Sequence, residues 1–128
     1  TIGAYNMSFD LKALKATAQK LGITGKLLKK SAKVQDIRSL CMETICNKHK
    51  SYERFAKENS LVTPGGNLST TAETLFKYLT KDIEFIEDHT ALSDSLIEAA
   101  LWAYALRQKT KYERGIPEST FHLLKKAK

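Results

Sequence analysis

The chain has 128 residues, 42% of them hydrophobic and 27% charged, a balance that suits one folded domain and excludes a disordered or membrane-embedded protein. Its 21 Lys and Arg against 14 Asp and Glu leave a formal charge of +7, which attracts polyanions through counterion release and also serves plain solubility. The longest apolar run, near Leu96–Leu106, is interrupted by Glu98 and falls short of the roughly 20 residues that a bilayer requires, so no membrane contact is expected.

In chain order, Thr1–Asn6 carries Ile2, Ala4 and Tyr5 and reads as the end of a strand. From Asp10 the apolar residues Leu11, Leu14, Ala18 and Leu21 recur at helical spacing, and Gly22 stands where a C-terminal glycine belongs. A basic connection, "KLLKKSAK" (26–33), leads to Val34 and Gln35, which suggest a very short strand. Asp36 then reads as the N-cap of a helix built on Ile37, Leu40, Cys41, Thr44 and Ile45, and Tyr52, Phe55 and Ala56 add another turn or two. "TPGGN" (63–67) has the composition of a turn or hairpin tip.

Thr70 and Glu73 form a capping box ahead of Ala72, Leu75, Phe76 and Leu79. The last helix, after His89, carries Leu92, Leu96, Ala99, Ala100, Ala103 and Leu106, with Ile97, Leu101 and Trp102 on its other sides. A helix apolar nearly all round is expected to be central, with something lying against each side. "ERGIPES" ends it, and a basic tail spans about 115–128. Tyr5, Phe9, Phe76 and Trp102 read as core, and His49 and His122 as exposed. Pattern alone gives a small all-α domain with a few strand residues.

Cys41 and Cys46 form no C-x-x-C motif and are too few for a disulfide framework, which points to a reducing, cytosol-like compartment. The opening "TIGAYNMSFD" has neither the basic start nor the small-residue cleavage site of a secretory leader. A zinc site from Cys41, Cys46 and His49 lacks a fourth ligand, and buried cysteines beside a surface histidine fit better.

Two stretches carry residues that packing does not require. "GAYNMSFD" (3–10) runs from a strand into Asn6 and ends on Asp10; "EDHTALSD" (87–94) places His89 just ahead of a helix and Asp94 in its first turn. Taken singly, Asp88 or Thr90 caps the helix, and an acid in the first turn suits its dipole. Taken together, carboxylates are the ligands Mg²⁺ and Mn²⁺ prefer, and a histidine titrating near neutrality can take a proton from water.

At these residues the chain resembles a family. "AYNMSFD" and "HTALSD" with "SLIEA" are similar to the second and third motifs of the DEDDh 3′–5′ exonucleases, the RNase H-like group that includes polymerase proofreading subunits. "YERFAKENSLVTPGGNLSTTAETLFKYL" between them resembles the linker of phage-type and bacterial members, so the likeness covers most of residues 1–107. It implies Asp10 and Asp94 as metal ligands and His89 as general base. It also implies two Mg²⁺ or Mn²⁺ ions, in a two-metal site of ions about 3.5–4 Å apart. The family's first motif, Asp-x-Glu on the first strand, is missing here. Asp82 and Glu84 have the spacing but stand just before the third motif.

The expectation is therefore an α/β, RNase H-like exonuclease fold, present as its helix-rich C-terminal portion without the first three strands. The missing acids would come from an N-terminal segment or a partner chain. The substrate expected is nucleic acid, DNA ahead of RNA, in the cytoplasm of a bacterial or phage-infected cell. Candidate contacts to it are Asn6, Lys26, Lys29, Lys30, Arg107, Lys109 and Lys111. The alternative is a non-catalytic basic helical protein that binds nucleic acid or another protein.

Overall fold

The computed structural model of the chain describes residues 1–108, so Lys109, Lys111, His122 and the basic tail at 115–128 lie outside the described residues. The described residues fall into two compact units, Thr1–Ile37 and 38–108.

The first unit is a strand, a helix and a second strand: β1 (Ile2–Ala4), α1 (Met7–Lys20) and β2 (Val34–Asp36). The strands pair in parallel, Ile2 with Val34, Gly3 with Gln35 and Ala4 with Asp36. Parallel neighbours cannot be joined by a tight turn, so the connection must cross over, and α1 fills it. The buried Asp36 ties its ends together: its Oδ2 accepts the Met7 N–H at 3.1 Å, satisfying one of the donors that a helix start leaves open. That bond helps α1 start at Met7, three residues before the spacing of its leucines suggests.

At its other end α1 closes as glycine allows. Gly22, at φ +65, donates to the Gln19 carbonyl at 3.2 Å, and Ile23 donates to Ala18 at 2.9 Å. This is the Schellman arrangement, with a left-handed residue just past the helix. Tyr5, Met7 and Ala18 are buried, whereas Phe9, Leu14 and Leu21 are exposed. Phe9 is thus not core, contrary to its apolar character. The parallel pair also overturns the all-α reading: this is a small mixed α/β fold.

In the second unit α2 (Ile37–Cys41) runs on as a π-helical turn (Met42–Cys46), followed by α3 (Lys50–Glu58), α4 (Ala72–Thr80) and α5 (Ala91–Arg107). Leu40, Cys41, Ile45, Tyr52, Ala56, Leu75, Tyr78, Ile97, Leu101 and Ala105 are buried, and they are the apolar positions that recur every three or four residues. Tyr52 meets Tyr78 edge to face, with ring centroids 5.1 Å apart. The glycine-containing segment forms a hairpin tip, bridged between Val62 and Leu68. Thr71, not Thr70, caps α4: its Oγ1 accepts the Thr74 N–H at 3.2 Å. Thr70 instead accepts a hydrogen bond from Arg38 at 3.1 Å, and Glu73 pairs with Lys77 one turn on at 2.7 Å.

α5 packs against α4 and meets α2, where the Cys41 Sγ donates to the Leu101 carbonyl at 3.9 Å. Its buried stripe is Ile97, Leu101 and Ala105, one residue per turn. The opposite side is open, with Leu92, Leu96 and Leu106 exposed at 72%, 64% and 64%. The central position expected for this helix is therefore met on one face alone. Among the described residues no helix is long and apolar enough to cross a membrane.

Candidate metal centre at the start of the last helix

After α4 the chain turns at Lys81, which adopts a left-handed φ of +61 and lays its ammonium 3.9 Å from the Tyr78 ring centroid. The connection to α5 is pinned near its middle, where Phe85 packs on Phe76 with ring centroids 4.8 Å apart. Its last residues are fixed by their own side chains. Asp88 Oδ1 accepts from both the backbone N–H and the hydroxyl of Thr90, each at 3.0 Å. Thr90 in turn caps α5 by accepting the Ser93 N–H at 3.3 Å. Both capping candidates of the sequence are thus in use, in series.

His89 sits between these two residues at φ +54. The left-handed region is sparsely used by residues other than glycine, costs ~1–3 kcal/mol, and persists only where neighbouring interactions hold it. The Asp88–Thr90 bonds do so. They place His89 outside the helix, with a side chain 77% exposed, beside a Glu87 side chain only 14% exposed. Asp94 follows in the first turn of α5, its N–H bonded to the Thr90 carbonyl at 2.9 Å.

Glu87, His89 and Asp94 each offer an atom that lies within 4.8 Å of those of the other two. Among the described residues they are the one such grouping of three metal-ligating side chains. Glu87 Oε2 and His89 Nδ1 are 3.7 Å apart. Asp94 Oδ1 is buried and has no hydrogen bond. Burial raises the Glu87 carboxyl above its ordinary range, the Asp94 charge raises it further, and His89 opposes both. Bonds from the Thr90 backbone and hydroxyl hold Asp88 below its own ordinary range.

The two carboxylates at this separation match the oxygen donors of a hard divalent cation, which binds carboxylate oxygens at about 2.0–2.6 Å, and the imidazole of His89 stands beside them. The orphaned oxygen of Asp94 supplies the fit. A buried carboxylate oxygen without a donor is unfavourable, and either a cation or a proton on the neighbouring Glu87 would satisfy it.

Of the residues expected from sequence, His89 and Asp94 are brought together. Glu87 was missed, although it opens the stretch "EDHTALSD"; its one signal is a position two before the histidine. Asp10 belongs to the first unit, in the first turn of α1. Burial pushes its carboxyl up, a backbone hydrogen bond opposes this, and the charge of its neighbour Asp36 adds to the rise. Asn6 is exposed at the start of α1 and its Oδ1 accepts from the Ser8 hydroxyl at 3.2 Å. Lys26, Lys29 and Lys30 are exposed between α1 and β2, and Arg107 is exposed in the last turn of α5. Cys41 is buried and Cys46 half-buried, while His49 is half-buried, not simply exposed, with Nδ1 3.5 Å from the Tyr78 hydroxyl.

No protein family, curated protein or solved structure matches the chain.

Proposed function

We propose that this chain is the C-terminal part of a metal-dependent 3′–5′ exonuclease that hydrolyses phosphodiester bonds of nucleic acid, DNA ahead of RNA. The observation that carries the reading is the grouping of Asp94 with His89 at a helix start, with one oxygen of Asp94 buried and unbonded. Both residues stand at the positions that resemble the family's third motif, and Asp10 stands at that of its second.

In this reading Asp94 holds Mg²⁺ or Mn²⁺ together with further acids, the Asp-x-Glu pair, supplied by an N-terminal segment or a partner chain. When bound, the metal pair stabilises the charge on the attacking and leaving oxygens of an in-line displacement. This chain's own residues do the rest. His89, exposed and outside the helix, accepts the proton of the attacking water. The Asp88–Thr90 turn holds its backbone. Lys26, Lys29, Lys30 and Arg107 draw the phosphodiester backbone to the surface by charge. The setting proposed is the cytoplasm of a bacterial or phage-infected cell.

The test is nucleotide release from a 5′-labelled oligonucleotide by the chain joined to a strand bearing Asp-x-Glu. Release that requires Mg²⁺ or Mn²⁺, proceeds from the 3′ end and is abolished by Asp94→Asn is the expected result. Salt-sensitive binding without any release would instead favour the non-catalytic binding protein.

A further inference from the structure

α5 carries a second pattern on the side away from its buried stripe. Leu92, Leu96, Ala99, Ala103 and Leu106 are all exposed, and they follow one another at intervals of four, three, four and three residues. That alternation keeps one seam of a helix turned toward a partner helix along its length. Asp94 stands two residues from both Leu92 and Leu96, roughly 200° around the helix, so the seam lies on the opposite side from it.

The seam is not uniform. Its two leading positions are leucine and the next two are alanine. Two copies of α5 laid in the same direction stack leucine on leucine and alanine on alanine, and set Arg107 against Arg107. Laid in opposite directions, about an axis between Ile97 and Glu98, Leu92 comes level with Ala103 and Leu96 with Ala99, twice over by symmetry. Each of these layers then joins a large side chain to a small one, the condition for interdigitation. The same register brings Arg107, the one basic residue of α5, level with the exposed Asp88 just ahead of the other helix. The helix dipoles oppose each other as well. Shape and charge select the same arrangement, and the complement of this seam is the seam itself.

We infer that α5 is a self-pairing surface: two copies of this chain dimerise through antiparallel α5 helices, with Leu92 and Leu96 of each copy seated on Ala103 and Ala99 of the other. Removing the leucines from water supplies the affinity, and Arg107 with Asp88 at the rim fixes direction more than strength. An interface one helix wide is small, so the dimer forms and dissociates with concentration. It does not depend on the exonuclease reading.

Sedimentation equilibrium of the 128-residue chain across micromolar concentrations reads the association directly. The expected result is a reversible monomer–dimer equilibrium, weakened roughly 100-fold or more by Leu96→Glu, which sets a charge in the seam without touching the buried stripe. Phe9→Ser, at another exposed apolar residue, leaves it unchanged. Leu96→Ala unfolds like wild type in dilute protein, and at lower denaturant than wild type where wild type is dimeric. Disulfide trapping reads the direction, with the linked peptides identified by mass. Leu92→Cys mixed with Ala103→Cys forms a cross-link between copies, and neither variant links to itself at that position. A chain monomeric at every concentration, which leaves the seam to a different protein, overturns the inference. So does a dimer indifferent to Leu96→Glu, a dimer lost equally in Phe9→Ser, or a self-link of Leu92→Cys.

Discussion

The carboxylates of Glu87 and Asp94 come within 4.8 Å of each other at the start of α5, and one Asp94 oxygen is buried there without a hydrogen bond. Like charges so placed repel, and either a proton on Glu87 or a bound cation relieves them. The Glu87 carboxyl is raised above the ordinary glutamate value of 4.5, chiefly by burial and then by Asp94. A raised acid favours folding while it stays protonated; that advantage is complete below the ordinary value and is lost as pH rises through the folded-state value. In metal-free buffer Glu87→Gln should therefore melt above wild type at neutral pH and level with it near the acid end. Excess Mn²⁺ should raise the wild-type melting temperature at neutral pH, and Asp94→Asn should remove most of the rise. A melting temperature indifferent to Mn²⁺ would count against a cation at this place.

His89→Ala should separate chemistry from binding. In the form that carries the Asp-x-Glu acids, kcat should fall by ~10²–10⁴, the contribution typical of a general base, with substrate affinity little changed. Equal losses in kcat and affinity would assign His89 a structural role.

Binding of an oligonucleotide should weaken steeply with salt. Each phosphate contact contributes about 0.9 to the slope of log K against log salt for duplex DNA and about 0.7 for single strands. Replacing Lys26, Lys29 and Lys30 with alanine should flatten that slope by up to about 2.7 units on duplex DNA and about 2.1 on single strands if all three touch phosphates. An unchanged slope would place the nucleic acid elsewhere.

The two faces of α5 should respond differently to truncation. Leu101 is fully buried, so Leu101→Ala should cost ~2–5 kcal/mol in denaturant unfolding. Leu96 is 64% exposed, and Leu96→Ala should stay within roughly 0.5 kcal/mol. Comparable losses at both would mean that the exposed stripe is covered in solution.

The thiol of Cys46 is pushed up from 9.0 to about 11, mainly by burial, against a lowering hydrogen bond from Tyr52. Protonated Cys46 therefore favours the fold below pH 9 and loses that advantage as pH rises through about 11, a swing of roughly 2–3 kcal/mol. Alkylation of the native chain should be slow at pH 8.5 and accelerate toward pH 11. Rapid labelling of Cys46 at neutral pH would contradict this placement.

The helices of this protein are written locally. Gly22 ends α1 because the residue there needs a left-handed φ, and Thr90 starts α5 because its hydroxyl reaches the Ser93 amide; both interactions span a few residues and leave a mark in the sequence. The strands do not, because three residues are too few to display a two-residue period, and their pairing joins Ile2 to Val34 across an intervening helix. Nor does the pattern tell which side of an almost wholly apolar helix is buried. The packing of α5 on α4 chose Ile97, Leu101 and Ala105 over Leu92, Leu96 and Leu106. His89 and Asp94 were legible as a motif, but Glu87 was not. A glutamate in a loop acquires its character only when a left-handed turn at His89 brings an imidazole and a second carboxylate beside it. Local interactions are fixed by neighbours in sequence; convergence and burial depend on neighbours in space.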